Sequence, residues 1–199
     1  SSRTSRGRSS RTDCASYAPV SAPGGSSVAS ATIRSSSTRT SRPRWLSRHA
    51  RNVRMSTHSS VPAGHAVRPH TADVIVEAWA PSRSACLEEL VRGVVGTFVD
   101  IEDAHATSEV ALEVNEALDE DVVVTILAEV CYRLDADGLV VVDVELEEEE
   151  ESGGFEGLFR VAPVGDVVPT GAPPKGISRS DLSFRRDGAT WRCQVTLDV

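Results

Sequence analysis

Long apolar runs are missing from this sequence, and so are the short motifs that mark most nucleotide-binding and hydrolytic enzymes. No run of about 18 apolar residues occurs, which predicts a chain without a transmembrane helix. Neither GxxxxGK(S/T) nor GxGxxG is present, so no phosphate-binding loop is predicted. There is no nucleophile elbow, and histidine beyond residue 60 is limited to His65, His70 and His105, which form no recognisable catalytic set.

Cysteine is scarce, and its spacing excludes the common zinc sites. The four positions are Cys14, Cys86, Cys131 and Cys193, and they fit no zinc-binding pattern. We therefore expect the last three to be reduced thiols in the core of a cytoplasmic protein.

Acidic residues are nearly absent from the first 60 residues, which hold eleven arginines and one acid, Asp13. The other 139 residues hold ten basic and twenty-eight acidic side chains. Residues 1–63 have few large apolar side chains, so we expect a disordered basic leader ahead of a folded domain at 64–199. The leader could be a transit peptide, an RNA-binding arm, or translated sequence upstream of a true start at Met55.

Two amphipathic helices are predicted in the domain. The stripe of the first consists of Leu87, Leu90, Val91, Val94, Val95 and Phe98. The second begins at Asp119 or Asp121, either of which could cap it, and ends at Asp137-Gly138. Its β-branched run 122–125 favours a strand, but the longer 3.6-residue period predicts a helix.

The remaining apolar segments predict strands. They are His65–Arg68, Val74–Ala80, His105–Val114, Leu139–Leu146, Phe155–Val161, Ile177–Phe184 and Thr190–Leu197. Asp187-Gly188 predicts the turn of the last hairpin. The acidic run 147–151 could be a cation or protein site, although such a run is more often a solvated strand edge. The order predicts an α+β fold, a largely antiparallel β-sheet system with two amphipathic helices.

The candidate site joins the two ends of the domain. Asp73 precedes the strand 74–80, and Asp198 with the α-carboxylate of Val199 follows the last strand. If the ends meet, these oxygens suit calcium, magnesium or manganese rather than zinc, with His70 beside them. The alternative is that Asp73 caps a turn and Asp198 is a solvent-facing terminal residue.

Motifs at both ends resemble the archease family. The opening His70-Thr71-Ala72-Asp73 and the ending Trp191 to Val199, closing on Leu-Asp-Val, match the family's two signatures, and Lys175 stands where archeases carry a lysine. The resemblance covers residues 65–199. In place of the family's usual Thr-Tyr-His-like segment, this chain has Ser178-Arg179-Ser180-Asp181, which puts the strength of partner binding or the choice of ion in question.

The resemblance implies a cytoplasmic accessory protein of the RtcB-type tRNA-splicing RNA ligase. Such a protein promotes the metal-dependent guanylylation and multiple turnover of the ligase and has no turnover of its own. The resemblance also implies a bound divalent cation, calcium in the first place, held by Asp73, Asp198 and Val199. Two alternatives come from other functional classes: a metal-dependent hydrolase, and a chaperone-like interaction module for RNA-processing proteins. No membrane partner is expected.

Overall fold

The apolar segment 74–80 lies inside a five-stranded sheet. The computed structural model describes residues 11–13, 61–69, 73–149 and 153–199. They belong to one of two units, formed by Ser1–Ser21 and Ser60–Val199; the other unit, Ala22–Ser59, lies outside the described residues. The expected disorder of the leader falls mostly on undescribed residues, and the domain boundary at 63/64 stays a prediction.

The described residues form ten strands and two α-helices. The strands are β1 (Arg11–Asp13), β2 (Gly64–Pro69), β3 (Asp73–Ala80), β4 (Val99–Asp100), β5 (Ser108–Val114), β6 (Leu139–Glu148), β7 (Phe155–Pro163), β8 (Val168–Pro169), β9 (Gly176–Asp187) and β10 (Thr190–Asp198). The helices are α1 (Arg83–Val95) and α2 (Asp119–Asp137).

The strands pair antiparallel throughout. The five-stranded sheet has the order β1-β9-β10-β3-β2, a three-stranded sheet has the order β5-β7-β6, and β4 pairs with β8 alone. The predicted α+β fold with two helices is thereby confirmed. Because β10 lies between β9 and β3, the last strand of the chain is also an inner strand of the larger sheet.

Both helices contribute their apolar residues to one continuous core. Leu87, Leu90 and Val91 of α1 are buried, as are Ile126 and Val130 of α2, which confirms the predicted stripes within the helices. Phe98 is also buried, but it lies in the turn after α1 and not in the helix as predicted. The second helix forms despite its β-branched run because Val122, Val123 and Val124 all reach the core. Cys86, Cys131 and Cys193 are buried and form no disulfide among the described residues, in agreement with the expected core thiols. Among the described residues, neither helix is long and apolar enough to cross a membrane.

Local details of the second helix correct the sequence prediction. Its N-cap is Leu118, which makes no side-chain capping bond, so neither Asp119 nor Asp121 caps the helix. Asp119 instead accepts a hydrogen bond from Arg83, and Asp121 accepts one from Arg179 at 2.7 Å. The predicted stop is confirmed: Gly138 adopts φ 65°, a left-handed conformation that glycine accepts without strain.

Candidate functional site

Strand register brings the two predicted aspartates together. Asp73 is the first residue of β3, Asp198 is the last of β10, and the two are direct partners in the antiparallel ladder. Direct partners in such a ladder have Cα atoms about 4.5–5.5 Å apart and side chains on the same face. The sheet therefore joins residues from the two ends of the domain, as the sequence predicts.

The face that carries both aspartates is the one turned away from the core. Along β3 the residues of the core face are Val76, Ala78 and Ala80, all buried. The alternate positions belong to what we call the outer face: Asp73, Ile75, Glu77 and Trp79 of β3, with Asp198, Thr196, Gln194 and Arg192 as their partners on β10. Because strand residues alternate between faces, Asp73 and Asp198 stand at one end of the outer face and Trp79 and Arg192 at the other.

A large bulge in β9 completes a pocket beside the aspartates. Ser178 pairs with Thr196 but Ser183 pairs with Gln194, so four residues of β9, 179–182, lie opposite the single Val195. A bulge of this kind re-aims side chains. The resulting pocket has a volume of ≈ 130 Å³, and its lining residues are Asp73, Gly176, Ile177, Ser178, Ser180, Asp181, Thr196 and Asp198.

One buried hydroxyl in this pocket has no protein partner among the described residues. Thr196 is 8% exposed, and its Oγ1 makes no hydrogen bond to them. Leaving a buried polar atom unsatisfied costs about 1–3 kcal/mol. Carboxylate and hydroxyl oxygens are ligands that hard divalent cations prefer, so the donor set of the pocket fits such an ion.

Val199 and Lys175 lie beside the pocket rather than in its lining. Val199 is half-buried and packs against the core, directly after Asp198. The backbone N–H of Lys175 donates to the carbonyl oxygen of Asp198 at 2.7 Å, which ties the loop before β9 to the end of β10. His70 lies outside the described residues. Within the described part of the chain, no three His, Cys, Asp or Glu side chains form a complete metal centre.

Most of the polar lining of the pocket is not identified as a ligand set by the sequence. The missed oxygen-bearing side chains are Ser178, Ser180, Asp181 and Thr196. Thr196 carries no signal beyond its place in a strand, whereas Ser180 and Asp181 reach the pocket through the mismatch of register between β9 and β10. The sequence does not predict this shift of register, because residues Ser178 to Leu182 are equally compatible with regular strand pairing.

Carboxylates form a second charged feature at the three-stranded sheet, to which the acidic run contributes Glu147 and Glu149. Glu113, Glu156 and Glu147 are direct neighbours across β5, β7 and β6. Burial raises the pKa of Glu156, and the nearby carboxylates of Glu149, Glu113 and Glu147 raise it further. This row is therefore a site of mutual repulsion between carboxylates.

An ion-pair network holds the neighbouring part of that sheet. Burial alone would raise the pKa of Asp143, but hydrogen bonds from Arg92 and Arg160 outweigh it and hold the pKa below its usual range. Arg160 donates to Asp143 at 2.7 Å and to Glu145 at 2.8 Å. These contacts stabilise the sheet and its junction with α1.

Comparisons with known proteins agree on one family. The sequence profile of the Archease protein family matches residues 65–199. The "Probable protein archease" of Mycobacterium tuberculosis is 40% identical over 137 residues, which cover 69% of this chain and 75% of that protein. The "Protein archease" of Methanopyrus kandleri is 23% identical over 133 residues, covering 65% and 95%.

A solved structure supports the fold independently of sequence. The solution structure of protein 1598 of Methanobacterium thermoautotrophicum superposes with a TM-score of 0.57 at 13% identity. The superposition covers 68% of this chain and 99% of that one. At this identity the likeness is one of fold alone.

Proposed function

The chain belongs to the archease family, and from that premise we propose that it is an accessory protein of an RtcB-type tRNA-splicing RNA ligase. It would act in the cytoplasm, in tRNA splicing and RNA repair, without turnover of its own. Its effect would be to promote the metal-dependent guanylylation of the ligase and to allow multiple turnover. The observation that carries the proposal is the pairing of Asp73 with Asp198 beside the unsatisfied hydroxyl of Thr196.

Asp73, Asp198 and the α-carboxylate of Val199 would hold a divalent cation, calcium in the first place, with magnesium or manganese as alternatives. Adjacent carboxylates repel one another, and a cation would supply the positive charge that relieves this repulsion. The oxygen of Thr196 would complete the polar lining, and water would fill further positions, as is common for these ions. The pairing of β3 with β10 keeps the two aspartates close before any ion arrives.

The cation part of the proposal is tested by thermal unfolding. Calcium at about 100 times its dissociation constant should add about 2.7 kcal/mol to the free energy of unfolding. Asp73→Asn and Asp198→Asn should each remove this gain without unfolding the domain. Asp166→Asn, in the exposed turn that follows β7, is the matched control and should keep the gain. A melting temperature unmoved by calcium, magnesium and manganese would exclude the cation site.

The accessory part is tested with the cognate ligase. RNA ligation under multiple-turnover conditions should depend on this protein, whereas a single turnover by pre-guanylylated ligase should not. Asp73→Asn and Asp198→Asn should lose the stimulation and Asp166→Asn should keep it. If ligation is unchanged by the wild-type protein under both conditions, the accessory function is wrong, whatever the cation does.

A further inference from the structure

The outer face carries a second chemical feature, at the end opposite the pocket. Trp79 of β3, Arg192 of β10 and Arg185 of β9 are direct neighbours across three adjacent strands. At about 3.3 Å per residue, Trp79 lies some 20 Å along β3 from Asp73. The row of Trp79, Arg192 and Arg185, which we call the Trp–Arg row, is therefore separate from the acidic pocket.

The arginines of this row are poorly neutralised. Arg185, like its neighbour Arg186, makes no ion pair with any described residue. Arg192 pairs with Asp187 at 3.1 Å, but both side chains are more than half exposed, and pairs of that kind contribute little. Acidic side chains greatly outnumber basic ones beyond residue 60. The row thus sets two arginines, Arg185 and Arg192, against the single neighbouring carboxylate of Asp187, which leaves a net positive charge at this end of the outer face.

The backbone beside Trp79 is adapted to its ring. Gly64 of β2 is the direct partner of Trp79, and a Cβ at Gly64 would lie 3.0 Å from Cζ2 of the indole. Glycine therefore makes room for the ring on the outer face, where Trp79 is only half-buried. The indole therefore lies over Gly64 of β2, and the two arginines follow in the same row on the other side of β3. In such a row the ring can stack on a planar group while the arginines contact an anion.

We propose that the Trp–Arg row binds single-stranded nucleic acid, with Arg185 and Arg192 on backbone phosphates and Trp79 stacked on a base. Positive charge alone would suit any polyanion, including an acidic protein surface. The tryptophan favours nucleic acid, because base–aromatic stacking requires a planar partner. It favours a single strand, because the faces of bases in a duplex are already stacked on each other. This inference does not depend on the accessory function or on a bound cation.

A fluorescence titration of the full chain tests the proposal. Replacing Trp45 and Trp191 by phenylalanine leaves Trp79 as the only tryptophan. A twelve-residue oligouridylate should quench its emission, with an affinity that falls as salt rises. Arg185→Gln and Arg192→Gln should each reduce the slope of log affinity against log salt by about 0.7. Arg160→Gln removes the same charge from the other sheet and should leave the slope unchanged.

Variants of the aromatic ring separate stacking from charge. With binding followed by fluorescence anisotropy of a labelled oligonucleotide, Trp79→Leu should weaken binding roughly 5- to 150-fold, the range expected for one stacked base. Trp79→Phe should retain most of the affinity. If Trp79→Leu does not fold, the quenching of the single-tryptophan protein decides alone.

Three results would overturn the proposal. Binding of the oligonucleotide without any change in Trp79 emission would mean that the arginine-rich leader holds it. Equal affinity for polyglutamate would indicate a docking site for acidic proteins. Loss of affinity in Arg160→Gln as large as that in Arg185→Gln would show that net charge, not the Trp–Arg row, controls binding.

Discussion

The buried ion pair of Glu129 and Arg133 in α2 allows a quantitative prediction about the free energy of unfolding. Glu129 is almost completely buried, with 3% of its side chain exposed, and its partner is Arg133, one helical turn later. Arg133 also donates to Asp137 at 2.7 Å. One carboxylate oxygen of Glu129 and the Nε of Arg133 are buried without a hydrogen-bond partner among the described residues.

Arg133→Met should therefore be costly. It leaves the Glu129 carboxylate buried and unpaired, and breaking a buried pair in this way typically costs about 3–5 kcal/mol. The loss of the more exposed contact with Asp137 adds at most about 1 kcal/mol. Against a typical total stability of about 5–15 kcal/mol, this is a large fraction.

Urea unfolding followed by far-UV circular dichroism measures the effect, provided that the denaturant slope stays constant. The matched control is Arg179→Met. Arg179 also pairs with an acid of α2, Asp121, but its own side chain is 41% exposed. That control should cost less than about 1 kcal/mol. Replacing Glu129 and Arg133 together by leucine should recover most of the stability. A loss in Arg133→Met no greater than in Arg179→Met would refute the reasoning.

Two further predictions concern the core and the acidic row. Leu90→Ala in α1 should lower the free energy of unfolding by about 2–5 kcal/mol, because Leu90 is buried. The control Val67→Ala, on the exposed edge strand, should change it by only about a few tenths of a kcal/mol. Equal effects of the two variants in a denaturation experiment would contradict this packing. Glu156→Gln should raise the melting temperature at pH 7, because the raised pKa of Glu156 means that its charged form destabilises the fold. The wild type gains stability as the pH falls toward the pKa of glutamate in the unfolded chain, about 4.3. The advantage of the variant should therefore shrink over that interval. The same advantage at pH 7 and pH 4 would show that charge repulsion is not the cause.

The sequence predicts those parts of the fold that depend on local periodicity. The stripe of α1 and the αL glycine after α2 are visible as patterns, and both are confirmed. The long period of α2 outweighs its β-branched run because tertiary burial contributes more than intrinsic propensity. The two-residue strands β4 and β8 escape prediction, since a pairing that short has no period.

The start of α2 explains the incorrect helix cap. The helix begins directly after Leu118, so Asp119 and Asp121 lie in its first turn, where the helix dipole favours their charge, rather than at the cap position. There they pair with Arg83 and Arg179, and no local window of sequence contains the positions of those arginines in space. The pairing of Asp73 with Asp198 follows from the family resemblance, whereas the contribution of Asp181 follows only from the bulge in β9.

The position of β10 between β9 and β3 has a consequence for how the chain can acquire its site. The β2–β3 and β9–β10 ladders join neighbouring segments, but the β3–β10 ladder spans nearly the whole domain. Closing so large a loop costs more chain entropy than forming either hairpin, and long-range pairing of this kind slows folding. A fragment that ends before β9 can contain α1, α2 and their hydrophobic stripes, yet it has only one wall of the pocket. The acidic pocket is therefore a property of the completed fold, and a chain truncated before β10 cannot display it.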